Sequence, residues 1–542
     1  MGRHRAFHAR IRDRLNALEL RLGRSPVVYY LLSAVAGVTM GLAWTYPGTR
    51  NSALLGWLTA ILLVLLAHFS NFLPVRKHAY LGAWMGGIIA HALGFYWLKY
   101  TISMFGGFGV LPTAILYALF LSISSLQYPL FILINRCLPA FFSKMAVGAA
   151  LAWVTAELFS IRIFPWYLGH TQLAFTHVAQ AADIAGAVGI SFLLIWVSEA
   201  LIRILIFWEP RAALNIPVVL MAITLGYGDY RIEGFSAGLQ KYPNQLVALV
   251  QANISLSDKH DTHSYEENAE SYLKLTEKVL QGNPFVVWPE TALMQWIPSG
   301  TFSTNQNFDL RKLPSGVPML VGALTFDSPK KIYNSALAIL PSGEVPAPYH
   351  KRILMPFGEY TPGTSDDSSF KFLIPARIKS WLLKMNETAG NFTAGRAVSV
   401  FEYPRPSGIP LKVSPLICYE DVVPDLARES VNQGAELLAN LTNDAWFGDT
   451  IAPDQHHLIA SFRAIENRRY LLRATNSGTT AVVSPLGKTL KQLPKFKAET
   501  LLANVQLIRY KTFYTRFAGP WAPWTLLVIV LLTSALRKRK NK

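Results

Sequence analysis

The chain has 542 residues, 51% of them hydrophobic and only 15% charged, with a formal net charge of +18. This apolar share excludes an ordinary soluble enzyme, while the charges are too many for a bundle of membrane spans alone, so two bodies are expected. Two cysteines in so long a chain exclude a disulfide framework.

The first stretch carries Arg3, Arg5, Arg10, Arg12, Arg14, Arg21 and Arg24. It also spaces Phe7, Ile11, Leu15, Leu18 and Leu22 at helical intervals, which predicts an amphipathic helix lying on a membrane surface. The basic region is too long for a cleaved signal peptide, and no small-residue cleavage pattern follows a short apolar core. Apolar runs approaching bilayer length follow at 27–44, 53–72, 80–100, 110–134, 145–159, 183–207 and 213–227, with an eighth at 521–536. Tyr29, Trp44, Trp97, Trp208, Trp521 and Trp524 stand at their margins, as in interfacial aromatic belts.

Basic residues fall in alternate loops: Arg76 and Lys77, Arg136 and Lys144, Arg211, then Arg537, Lys538, Arg539, Lys540 and Lys542 in the tail. The positive-inside rule therefore sets both termini in the cytoplasm and residues 230–515 on the far side. Four parts are expected: a basic N-terminal segment (1–26), a bundle of seven helices (27–230), an outer domain (231–515), and an eighth helix with a basic tail (516–542). Because the positive charge gathers at membrane edges, anionic membrane lipid is the expected partner and nucleic acid is not. Cys137 and Cys418 fall on opposite sides of the bilayer, which leaves Cys418 a free thiol in an oxidising compartment.

After residue 245 the pattern changes. Strands are expected at 246–252, 284–288, 319–324, 333–340, 398–403, 411–417, 435–441, 480–484 and 501–507. Helices are expected at 266–281, 422–431 and 454–473. This alternation predicts an α/β domain whose sheet is buried by helices. Segment 365–390 mixes Phe370, Phe372, Leu373, Ile374, Trp381, Leu382 and Leu383 with Lys371, Arg377, Lys379 and Lys384. That mixture suits a lid in a lipid interface, or a core-packing helix, although Pro375 opposes a long regular one.

Three polar residues follow apolar strands or their loops: Glu290 in Trp288-Pro289-Glu290, Lys351 in His350-Lys351-Arg352, and Cys418 in Leu416-Ile417-Cys418-Tyr419-Glu420. Ligands of helix-flanked sheets gather beyond strand carboxyl ends, so the three can converge. Cys418 at a strand-to-helix turn has helical N–H groups near its sulfur, which favours the thiolate, although a buried inert cysteine fits the same local pattern. His456 and His457 are neighbours on an expected helix and do not face one another, and no carboxylate–histidine constellation accompanies them, so no metal is expected.

The Trp-Pro-Glu, His-Lys-Arg and Ile-Cys-Tyr-Glu segments, with Pro356-Phe357-Gly358-Glu359-Tyr360 and Asn443-Asp444-Ala445-Trp446-Phe447-Gly448, resemble the Glu–Lys–Cys signature of the nitrilase superfamily. Together with Phe164-Pro165-Trp166, Arg463-Ala464 and Leu472-Arg473-Ala474-Thr475-Asn476-Ser477-Gly478, they resemble the apolipoprotein N-acyltransferase family of Gram-negative bacteria along nearly the whole chain. The resemblance implies a bundle of about eight transmembrane helices in the inner membrane, joined to a periplasmic αββα sandwich. It also implies a two-step transfer without cofactor. A phospholipid, expected to be phosphatidylethanolamine, acylates Cys418, and the acyl chain passes to the N-terminal amine of a diacylglyceryl-modified apolipoprotein.

In that scheme Glu290 is the general base and Lys351 stabilises thiolate and oxyanion. Glu359 orients Lys351 or Glu290, and Glu420 fixes the pocket beside the thiol; a solvated surface role is the alternative for both. Tyr419 and Trp446 shape the acyl or headgroup site or simply pack, and Asn334 is a further supporting candidate. The family pattern places a tryptophan shortly after the first outer strand, where this chain has His260. The competing expectation is a membrane-tethered amidase or nitrilase-type hydrolase, in which water is the second nucleophile.

Overall fold

Small residues let the N-terminal helices approach closely. A side chain at Gly37 would meet the Gly86 carbonyl oxygen at 2.2 Å, and one at Gly86 would meet the Ser33 carbonyl at 2.5 Å, so Pro26–Thr45 and Arg76–Gly94 pack backbone to backbone. In this computed structural model the described residues are 21–206, 214–356, 358–360, 391–519 and 521–540. Segment 365–390 lies outside them, as do Trp208, Arg211 and nearly all of the surface helix expected over 7–22.

The chain forms two compact units. One comprises residues 1–96, 117–233 and 517–542, and the other 97–116 and 234–516. In the first, Pro26–Thr45, Arg50–Phe69 and Ala182–Leu205 are each long and apolar enough to cross a membrane. Val110–Cys137, which runs from the second unit into the first, is the fourth such stretch among the described residues. Arg76–Gly94 with Leu98–Met104 makes a fifth if that bent pair is one span. Gly148–Phe159 and Trp524–Thr533 are shorter apolar helices. The run 110–134 is in fact two helices, Val110–Ser124 and Gln127–Cys137. Leu31, Leu54, Leu205 and Ile223 are exposed on this unit, as lipid-facing residues would be.

Several charged and polar side chains inside the first unit have partners there. Glu157 accepts from the Leu168 amide at 2.7 Å, and its own carbonyl accepts from the Arg162 guanidinium. Glu199 pairs with Arg203 at 2.8 Å and accepts from the Ala149 amide. His91 is buried and bonds the Gly87 carbonyl through Nδ1 at 2.9 Å.

The second unit contains β1 (Asn244–Gln251), β2 (Phe285–Val287), β3 (Leu293–Pro298), β4 (Met319–Ser328), β5 (Lys331–Ile339), β6 (Tyr349–His350), β7 (Phe401–Tyr403), β8 (Leu411–Ile417), β9 (Leu437–Thr442), β10 (Tyr470–Thr475), β11 (Ala481–Val483), β12 (Thr489–Gln492) and β13 (Glu499–Gln506). One sheet runs β13-β1-β2-β4-β5-β6, with β3 also paired to β4; the other runs β12-β11-β10-β9-β8-β7.

Alternation explains the layering. Val247, Leu249, Val287 and Leu320 of one sheet meet Val413, Ile417, Leu437, Ala439, Leu441 and Leu472 of the other in a shared core. The alternate residues face outward. Ala248, Val250, Val286 and Val321 pack with Ala269 and Tyr272 of the helix Tyr265–Glu277. Leu416, Leu438 and Leu471 pack with Leu426 and Val431 of Pro424–Asn432 and with Ala460 and Ala464 of Ala452–Asn467. Strands buried on both faces are why the sequence shows continuous apolar runs. The result is helix, sheet, sheet, helix.

Two expectations need correction. The helix expected to continue to 473 stops at Asn467, because Arg468 turns left-handed (φ 50°), and 470–475 form the central strand β10. The helix after Cys418 begins only at Pro424; residues Cys418–Val422 form a short 3-10 turn.

Candidate active site

Both sheets deliver strand ends to one place. The polypeptide leaving β2 turns sharply after Glu290, with Thr291 left-handed at φ 47°. The chain leaving β8 turns at Cys418 itself, at φ 49°. Such a conformation costs a non-glycine residue about 1 kcal/mol or more, and here it occurs at the residue that presents the thiol. Asn440 holds the turn by donating to the carbonyls of Leu416 and Cys418 at 3.3 and 3.1 Å.

Around Glu290 nearly every acceptor position is used. Oε1 accepts from Asn334 Nδ2 at 2.7 Å and from Lys351 Nζ at 3.2 Å, and Oε2 accepts the Asn443 amide at 3.0 Å. A carboxylate has about four acceptor positions, so room for one more donor remains. Asn334 also donates to Glu359 Oε1 at 2.8 Å, while Glu359 Oε2 meets Lys351 Nζ at 2.8 Å and accepts the Met355 amide at 2.9 Å. Glu290, Lys351, Glu359 and Asn334 are thus one buried network on the first sheet and its loops.

Lys351 has two of its three N–H groups on these carboxylates, which leaves one without an acceptor among the described residues. Burial works against its charge, but Glu290 and Glu359 outweigh burial and hold its pKa well above the ordinary lysine value. The opposite applies to Cys418. Burial and then the charge of Glu290 push its thiol above the ordinary value, and Lys351 only partly offsets them. This corrects the expectation of a thiolate favoured by a helix end: only a short 3-10 turn begins at Cys418, the α-helix starts at Pro424, and burial keeps the resting sulfur protonated. Ionising it would take a base, and Glu290 lies within electrostatic reach.

Glu420 does not face solvent. It is fully buried and accepts the amides of Ile417 (2.7 Å), Arg352 (2.6 Å) and Ile353 (3.2 Å) and the Tyr349 hydroxyl (2.8 Å). One carboxylate thus clamps the end of β8 to the segment that carries Lys351. Tyr419 and Trp446 are half-buried beside this centre in sequence, and both make contacts of their own.

Several residues near the centre, Lys259 and Asn443 among them, have roles that the sequence did not suggest. Lys259, on the short helix Leu256–His260, is 3% exposed and donates from Nζ to the Glu290 carbonyl at 2.8 Å. Burial lowers its pKa to about 8, opposed by the charges of Glu290 and Cys418. Asn476 ties the loop after β1 to Asn443 through bonds to Ile254 and to Asn443 Oδ1. His456 is buried between Asp421 (2.7 Å) and Asp444 (3.1 Å), with Arg473 beside both aspartates. Carboxylates therefore do accompany this histidine, contrary to the expectation from sequence, but as an ion network whose aspartates already have cationic partners. Trp97 donates to Gln455 at 3.0 Å and stacks edge-on against Phe447, which brings the helix Leu98–Gly106 to the Trp446 loop.

Family models, named relatives and solved structures all match this chain. The family model described as carbon-nitrogen hydrolase matches residues 246–513, and the one described as apolipoprotein N-acyltransferase N-terminal domain matches residues 27–200. A protein named apolipoprotein N-acyltransferase from Geobacter metallireducens is 29% identical over 531 residues, covering 94% of this chain and 96% of its own. Another of that name, from Wigglesworthia glossinidia brevipalpis, is 30% identical over 476 residues, covering 84% and 88%. Among solved structures, an amidase of the nitrilase superfamily from Nesterenkonia AN1 aligns at 20% identity with a TM-score of 0.33, covering 50% of this chain and 93% of that one.

Proposed function

This chain belongs to the apolipoprotein N-acyltransferase family, and from that premise we propose how its residues carry the reaction. It is an acyltransferase of lipoprotein biosynthesis, a membrane-associated enzyme with lipid and lipoprotein substrates. The observation that carries the residue-level reading is the network in which Glu290, Lys351 and Glu359 converge beside a Cys418 that cannot ionise unaided.

In the first half-reaction Glu290 takes the Cys418 proton as the sulfur attacks the ester carbonyl of a phospholipid. Lys351 Nζ, through its remaining N–H, stabilises the oxyanion. The tetrahedral intermediate collapses, the carbon–oxygen bond breaks, and the lysophospholipid alkoxide recovers the proton from Glu290. A thioester remains on Cys418. In the second half-reaction the N-terminal amine of the diacylglyceryl-cysteine attacks that thioester, Glu290 takes the amine proton, and the carbon–sulfur bond breaks as the amide forms, with Glu290 returning that proton to the Cys418 sulfur. Glu359 orients Lys351, Asn334 orients Glu290 and Glu359 together, and Glu420 fixes the distance between the Lys351 segment and the Cys418 turn. Tyr419 and Trp446 line the substrate side.

Phosphatidylethanolamine is the proposed donor. The proposed setting is the bacterial inner membrane, with eight crossings, both termini cytoplasmic and the α/β domain in the periplasm. The proposed parts are 1–26, 27–230, 231–515 and 516–542. Basic residues in alternate loops support this orientation. Purified protein incubated with acyl-labelled phosphatidylethanolamine tests the transfer. Label that stays on protein until a lipopeptide amine is added supports it, and steady release of free fatty acid instead supports a hydrolase.

A further inference from the structure

The buried charges of the site do not balance with Lys351 alone. Glu290 and Glu359 set two carboxylates against one ammonium, and ionising Cys418 onto Glu290 keeps that excess while moving a negative charge to the sulfur. A buried excess of negative charge opposes that ionisation strongly. Lys259 supplies the missing charge. Its Nζ sits on the main-chain carbonyl of Glu290 at 2.8 Å, and both Glu290 and Cys418 act on it electrostatically. One N–H is used on that carbonyl, so two remain without an acceptor among the described residues.

The backbone around Lys259 is held from several sides. Ser255 caps the short helix by accepting the Asp258 amide at 3.1 Å, Asn268 donates to the Asp258 carbonyl at 2.9 Å, and Asn476 bonds both the amide and the carbonyl of Ile254. The charged groups on elements packed beside it are otherwise directed outward. Asp258 and Asp261 are exposed, and so are Glu266, Glu267 and Glu270 of the helix Tyr265–Glu277, where Glu266 pairs with Lys312 and Glu270 with Lys274. The Lys259 charge therefore acts on the reacting centre.

We propose that Lys259 is a second cation of this centre: anchored on the Glu290 main chain, it stabilises the negative charge that forms on the Cys418 sulfur and in the tetrahedral intermediate. It acts as a positioning and electrostatic residue, and the inference rests on Cys418 being the nucleophile. Burial lowers its pKa to about 8, which leaves it charged at neutral pH.

The test compares K259Q, K259R and K259M in the detergent-solubilised full chain. The pH dependence of Cys418 alkylation by iodoacetamide is measured beside acyl-enzyme formation and Tm. Gln keeps an N–H donor on a side chain one atom shorter and removes the charge. K259Q should therefore keep a near-normal Tm, yet alkylate about tenfold more slowly at pH 7, where Lys259 is charged, with the difference closing as pH rises past about 8. K259R should restore the rate at pH 7. K259M should lose both the donor and the charge, and so lower Tm as well. K259Q alkylation at pH 7 and acylation rates equal to those of the unaltered protein would overturn the proposal. If K259M fails to fold, K259Q and K259R still decide the matter. Failure of the unaltered protein to acylate Cys418 at all would instead overturn the assignment of the nucleophile.

Discussion

Gly322 offers a test of Glu290 placement that touches no titratable group. It lies on β4, directly behind the turn after β2, and a methyl group there would meet the Pro289 carbonyl oxygen at 2.2 Å and the Glu290 Cα and Thr291 amide nitrogen at 2.7 Å. Ordinary contact begins at 3.4 Å, so the Glu290 backbone must retreat by about 1 Å. The bonds from Asn334 and Lys351 to the Glu290 carboxylate, at 2.7 and 3.2 Å, do not survive a shift of that size in their present geometry. Misplacing a reacting group by about 1 Å costs roughly a hundredfold in rate, and overpacking costs about 1–3 kcal/mol of stability. We therefore expect G322A to remain folded with a Tm lowered by a few degrees, while forming acyl-Cys418 about a hundredfold more slowly. The assay is single-turnover acylation with labelled phospholipid, followed by gel under non-reducing conditions. A G322A enzyme acylating at the normal rate would refute the claim that Glu290 must sit where this network holds it.

Other outcomes follow from the same contacts. E420A leaves three backbone amides and a tyrosine hydroxyl without their acceptor, each costing about 1–3 kcal/mol if left unpaired, so a marked fall in Tm should accompany loss of activity. C418A should keep its Tm and form no acyl-enzyme, since Cys418 is half-buried and the change is small. Burial opposes the His456 charge, but Asp421 and Asp444 outweigh burial and raise its pKa to about 9. A raised pKa contributes stability that is fully present below about pH 6.5 and lost as pH rises through about 9. Tm should therefore decline over that window, and H456Q should flatten the decline; identical pH curves for both proteins would contradict the ion network.

Much of the α/β body was legible because apolar strands buried on both faces give continuous runs, and 411–417 coincides with β8. Glu290 and Cys418 stood out because each follows such a run, and Lys351 because it lies in the loop segment His350-Lys351-Arg352. The helix expected through 473 failed at Arg468, where a left-handed residue ends the helix and buried Arg473 enters a strand with no change of local pattern. β3, β6 and β12 carry no strong strand signal; β6 has only two residues and β12 is largely exposed. Lys259 was invisible because a lysine among Ser257, Asp258, His260 and Asp261 reads as solvated, and only tertiary packing buries it. Asn443 acts on Glu290 through its backbone amide, which no side-chain motif reveals.

The central claim is that the Cys418 sulfur carries the acyl chain between two substrates. Mass spectrometry of the tryptic peptide containing Cys418, taken after the protein meets phosphatidylethanolamine, tests it most directly. The account predicts one added acyl group on that peptide, removed by hydroxylamine and by a lipopeptide amine. An unmodified Cys418 peptide from a preparation that still acylates lipopeptide would contradict it.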